Sequence, residues 1–134
     1  MTQIAEIEGI GEAYAKKLRE SGIHSIEDFL SRGGSPKGRD EIARMTGVSP
    51  KLVLRWVNHA DLFRIKGVAG EMAELLEAAG VDSVAELAQR NAEHLQPKLA
   101  AVNAEKHLVR QVPATQQVES WIQEAKQLPR SVSY

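Results

Sequence analysis

Shifted by 58 positions, IEGIGEAYAKKLRESGIHSIEDFL (residues 7–30) falls on IKGVAGEMAELLEAAGVDSVAELA (residues 65–88). An internal repeat of this kind restricts the fold more than any other feature of the chain, because both copies must build the same supersecondary unit. Ile7, Gly9, Ala15, Leu18, Gly22 and Ser25 meet identical residues at 65, 67, 73, 76, 80 and 83, and Ile10, Ile23 and Ile26 meet valines. Glycines and apolar positions are kept while charges are not. What the copies share is therefore backbone geometry and core.

The two halves also end alike. VLRWVNHA (53–60) aligns with VESWIQEA (118–125) at an offset of 65, so a few residues are inserted in the second half. Val53, Trp56, Val57 and Ala60, like Val118, Trp121, Ile122 and Ala125, follow the i, i+3, i+4, i+7 spacing of one helix face. That stripe assigns both tryptophans to core packing rather than to base stacking.

The punctuation is that of helices. Gly22 and Gly80 stand where left-handed caps close a helix, Ser25 with Asp28 and Ser83 with Glu86 open the next one, and Ser49-Pro50 is a further start. No segment alternates apolar and polar residues between tight-turn pairs, as a strand would. The expectation is an all-α protein of eight to ten short helices in two tandem, duplicated units, residues 1–64 and 65–134, packed as one body. The glycine-containing stretch SRGGSPKGRD (31–40) has neither P-loop spacing nor a preceding strand and reads as a loop before a helix.

Ile7, Gly9, Ile10, Gly11, Ala15 and Leu18 form the pattern apolar-x-Gly-apolar-Gly-x-x-x-Ala-x-x-Leu, which resembles the helix-hairpin-helix motif of SAM-like helical folds. Across nearly the whole chain, order and spacing also resemble a bacterial family of uncharacterised tandem helix-hairpin-helix proteins. The resemblance implies a turn whose backbone N–H groups hold DNA phosphate without reading bases. Gly9, Ile10 and Gly11 would be the donors, with Lys16 and Lys17 adding charge one turn on. The chemistry is sound, since a helix N-terminus carries unpaired N–H groups and partial positive charge. Glu8 and Glu12 flank this turn, however, and a carboxylate there repels phosphate or occupies the amides itself. The second turn offers Lys66 but is followed by Glu71, Glu74 and Glu77, an acidic face that disfavours phosphate.

Charge is unevenly spread. Residues 30–66 hold eight basic and three acidic side chains, a balance of +5, and residues 67–105 hold two basic and seven acidic, a balance of −5. Within the basic stretch, Ala43, Gly47, Ser49 and Val53 have helix-turn-helix spacing. In such a motif Lys51 and Arg55 would face a major groove and Arg44 the backbone. The alternative is that Ala43 and Gly47 only allow close packing in a second hairpin of the unit.

Other chemistries find little support. The four histidines have no i, i+3 or i, i+4 partner suited to zinc, the chain has no cysteine, and no Gly-x-Ser-x-Gly nucleophile pattern occurs, so neither a metal, a cofactor nor a catalytic set is expected. Net charge is −1, so nucleic-acid binding would have to be local. The opening MTQIAEIEGI lacks a basic start and a long apolar region, and no apolar run approaches membrane length; a cytoplasmic protein without signal peptide or membrane partner is expected.

Two functions fit. One is a non-catalytic module that binds double-stranded DNA weakly through phosphates, using Gly9 to Gly11, Lys16, Lys17, Arg19 and the basic surface of residues 32–66, with about six phosphate contacts and a steep loss of affinity with salt. The other is a protein-interaction scaffold whose positive half meets an acidic partner or the negative half of another copy.

Overall fold

The computed structural model describes residues 4–134; residues 1–3, where the first unit is expected to begin, lie outside the described residues. The chain is all-α, with eight α-helices, one 3-10 turn and no strand among the described residues. It divides into two compact units, Met1–Asp61 together with Ser131–Tyr134, and Leu62–Arg130. The return of residues 131–134 to the first unit has no signal in the repeat.

The first unit carries a 3-10 turn (Ile4–Glu6), α1 (Gly11–Glu20), α2 (Ile26–Gly33), α3 (Pro36–Thr46) and α4 (Pro50–Leu62), whose last residue counts with the second unit. α1 stops because Gly22 takes φ +90°, which lets the Ile23 N–H fold back onto the Leu18 carbonyl at 2.9 Å. α2 then starts at Ser25, whose hydroxyl accepts from the Asp28 N–H at 3.1 Å. Ile7, Leu18, Ile23, Phe29, Ile42 and Trp56 are all buried in this unit. Each contributes about 1.5–3 kcal/mol by leaving water.

The second unit carries α5 (Gly70–Ala78), α6 (Val84–Ala88), α7 (Ala92–Lys106) and α8 (Thr115–Gln127). Its α5–α6 corner repeats the α1–α2 corner. Gly80 has φ +94°, the Val81 N–H reaches the Leu76 carbonyl at 2.8 Å, and Ser83 accepts from the Glu86 N–H at 3.1 Å. Arg32 donates to the Ser21 carbonyl at 2.6 Å, and Arg90, 58 positions on, donates to the Gly80 carbonyl at 2.9 Å. A guanidinium thus braces each corner. The core packs Leu75, Leu76, Val81, Leu87, Leu99 and Trp121.

The inserted residues lengthen one region of the second unit. α7 has 15 residues against 11 in α3, carries Pro97 internally and ends at His107 in the left-handed region, φ 52°. The connection that follows is clasped by buried Asn103, whose amide donates to the Val109 carbonyl at 3.0 Å and accepts from the Val109 N–H at 2.9 Å.

SRGGSPKGRD is not a loop. α2 continues to Gly33, only Gly34 and Ser35 intervene, and Ser35 caps α3 by accepting from the Gly38 N–H at 3.1 Å. The glycines serve close approach: a Cβ on Gly33 would stand 2.7 Å from Val57 Cγ2 on α4.

Candidate nucleic-acid interface

The first hairpin turns on Gly9 (φ +92°) and Gly11 (φ +64°), conformations that favour glycine. Ile10 between them is buried and anchors the turn from below. Ile10 is also the N-cap of α1, and no side chain caps the helix. Contrary to the expectation that it is a phosphate donor, the Ile10 N–H is already spent on the Ile7 carbonyl at 3.3 Å, and the open part of the turn is at Gly11, where nothing lies within 4 Å of the Cβ position. Glu12 does not close this opening: its carboxylate reaches along the helix to the Arg19 guanidinium at 3.4 Å.

Behind the turn stands Trp56 of α4. Its indole nitrogen lies 3.6 Å from the Cβ position of Gly9, buried and without a hydrogen-bond partner. Tyr14 packs on it with ring centroids 5.2 Å apart, and the Lys17 ammonium sits 5.7 Å above the Tyr14 ring. Lys16 and Lys17 are both exposed. Trp56 and Trp121 are nearly inaccessible, so neither offers a stacking face.

The second hairpin repeats the first only in part: Ala69, at the place of Gly11, has φ −113°, and α5 starts one position later in the repeat, at Gly70, also without a side-chain cap. Gly67 has φ +94°, and the Trp121 indole nitrogen lies 3.4 Å from its Cβ position. Here the Lys66 N–H, next to Gly67, donates to both carboxylate oxygens of Glu124 on α8, at 3.2 and 3.4 Å. This turn already holds an anion, and the anion is its own. In the first unit the offset of 65 puts His59 at the place of Glu124, and His59 is buried.

The basic middle is smaller than its charge count. Arg39 is buried, donating to the Gly33 carbonyl at 2.9 Å and the Ser133 carbonyl at 2.7 Å. Arg32 braces the α1 corner, and Arg64 donates to the Pro129 carbonyl at 2.5 Å. Arg64 and Lys66 also belong to the second unit. These guanidinium groups serve carbonyls and not a surface.

Arg44, Lys51 and Arg55 are exposed. α3 and α4 do form a helix, turn and helix: Gly47 at φ +74° ends α3, and the Ser49 hydroxyl accepts from the Leu52 N–H at 3.2 Å to start α4. Arg44 lines an open groove there with Lys37, Asp40, Ala43, Val48 and Pro50. The expected residues thus fall into two patches, Gly9 to Lys17 over Trp56 and Arg44 at the α3–α4 turn. Six residues of α4 separate Pro50 from Trp56, about 9 Å of helix.

The family model of a domain of unknown function, DUF4332, matches residues 8–128. The chain belongs to that family. The match spans both units of the DUF4332 chain, and the family description assigns no activity. No curated protein and no solved structure matches.

Sequence reasoning missed the inward turn of Arg39 and the seat of Glu124. A signal existed for each. Arg39, Ile42, Ala43 and Thr46 are the buried stripe of α3, spaced i, i+3, i+4 and i+7, and Glu124 stands three residues after Trp121 on α8.

Proposed function

We propose that this DUF4332 domain consists of two duplicated helix-hairpin-helix units and is a non-catalytic module that binds double-stranded DNA weakly and without sequence preference. The first hairpin holds a phosphate on the amides of Gly9, Gly11 and the start of α1, Lys16 and Lys17 stand beside it, and Arg44, Lys51 and Arg55 contact further phosphates. One observation carries this reading. The two hairpins share one positive-φ glycine, Gly9 and Gly67, but only the first adds a second at Gly11, where the second has Ala69, and only in the second does a carboxylate, that of Glu124, take the amide just before the shared glycine. The amide that Glu124 takes is that of Lys66, the counterpart of Glu8, so one copy holds an anion beside its turn, and the second glycine at 11 is what opens the other turn to an external one.

Fluorescence anisotropy of a labelled random-sequence duplex tests it. Micromolar binding at 50 mM salt that collapses at 200 mM is expected, and the triple change Arg44→Glu, Lys51→Glu, Arg55→Glu abolishes it with helical circular dichroism intact. Binding that survives the triple change removes the patch from the interface.

A protein partner is the second reading, favoured by the groove at the α3–α4 turn, where Ala43, Val48 and Pro50 lie between Lys37 and Arg44. An acidic peptide that binds there while duplex does not would select it.

A further inference from the structure

Residues 131–134 are held by the first unit much as a receptor holds a peptide. The Ser133 N–H donates to the Gly34 carbonyl at 2.7 Å, and the Ser133 carbonyl accepts from Arg39 Nη2 at 2.7 Å. Both backbone groups of one residue are thus read, as in recognition of an extended strand. On either side, Val132 is buried at 2% exposure and the Tyr134 hydroxyl donates to Oδ1 of buried Asn58 at 2.8 Å. The Arg39 guanidinium also lies 5.9 Å from the Tyr134 ring centroid. Val132 and Tyr134 are two apart, the spacing at which an extended segment presents side chains to one surface.

The receiving groups belong to separate elements of the unit: Gly34 between α2 and α3, Arg39 on α3 and Asn58 on α4. Gly34 leaves room for the segment, because a Cβ there would collide with the Ser131 carbonyl oxygen. The link to the rest of the chain is non-helical, and Pro129 and Arg130 in it are exposed. α8 ends at Gln127 and Leu128 has ψ 138°; Leu128 is half-buried on the core of the second unit and the Pro129 carbonyl is held by Arg64, so α8 and Pro129 stay in place while residues 131–134 leave.

We propose that the cleft formed by Gly34, Arg39 and Asn58 is a peptide-binding site, and that it takes residues 131–134 from a second copy of the chain. The occupant is argued from the fit itself. The cleft selects a small-Val-small-Tyr segment by backbone and by two side chains, and each copy carries one. Reciprocal exchange gives a closed two-fold dimer in which every contact of the single chain is kept. Within one chain the segment competes at an effective concentration on the order of millimolar, so exchange rises with protein concentration.

The test uses the chain ending at Arg130 and a fluorescein-labelled peptide of sequence PRSVSY. Saturable binding with a Kd below about 1 mM is expected. It weakens at least tenfold when the peptide carries serine in place of Val132, and the intact chain binds the peptide at least tenfold more weakly because its own segment fills the cleft. No saturation at millimolar peptide by a shortened chain of native circular dichroism overturns the proposal. If the shortened chain unfolds, hydrogen exchange on the intact chain decides. A Ser133 amide that exchanges at least a hundredfold faster than that of Phe29 marks a displaceable segment, and equal rates overturn it. Light scattering of the intact chain then reads the second copy: a dimer that grows toward millimolar concentration and is lost in Val132→Ser supports exchange, and a monomer throughout refutes it.

Discussion

Removing one exposed cation of the first unit should change how duplex binding responds to salt, while removing a buried one should change stability instead. Lys16, Lys17, Arg44, Lys51 and Arg55 are the exposed cations of the proposed interface, and Arg32 and Arg39 are spent on carbonyls. Five phosphate contacts give a slope of log K against log salt of about −4.5, so a fourfold rise in salt weakens binding roughly 500-fold. Lys16→Gln reduces the slope to about −3.6 and the same salt rise then costs roughly 150-fold. Arg39→Gln leaves the slope unchanged but removes two charge-assisted hydrogen bonds from a buried site, destabilising the fold by on the order of 3 kcal/mol. Anisotropy titrations at four salt concentrations and urea denaturation followed by circular dichroism give both quantities. A slope that falls with Arg39→Gln and stays at its parent value with Lys16→Gln would refute this division of the basic residues.

Gly33→Ala should destabilise, because the new Cβ meets the stiff Val57 side chain at 2.7 Å. Overpacking costs about 1–3 kcal/mol, of which the better helix propensity of alanine returns up to about 1 kcal/mol. Adding Val57→Ala should leave the double variant less destabilised than the sum of the singles by at least about 0.5 kcal/mol in urea denaturation. Ser25→Ala and Ser83→Ala should each cost about 1 kcal/mol through loss of an N-cap, and Ser83→Ala should leave duplex affinity unchanged.

Much of the local architecture was legible because it depends on short-range chemistry. Positive-φ glycines at 22 and 80 and serine caps at 25 and 83 require nothing beyond four or five neighbouring residues, and the helical stripes through Trp56 and Trp121 are read from spacing alone. The three glycines of SRGGSPKGRD misled, since glycine marks either a break or a close approach, and only the neighbours met in the fold, such as Val57 at Gly33, decide between them. The candidate interface was less legible for the same reason. Arg39 counts as a surface charge until Gly33 and Ser133 claim it, and Ser133 is 94 residues away. Glu12 looked like a plug for the hairpin, but Arg19 two turns on offers its carboxylate an opposite charge along the same helix face. Glu124 is 58 residues from the amide it fills, a relation that only the folded second unit brings about.

The most direct measurement of the central proposal is the amide spectrum of the nitrogen-15-labelled chain during titration with a short duplex at 50 mM salt. Phosphate held by the first hairpin predicts that the amides of Gly9, Gly11 and Glu12 shift and saturate together, while that of Lys66, held by Glu124, and those of Gly67 to Gly70 stay in place. Shifts confined to other residues, or equal shifts in both hairpins, would contradict it.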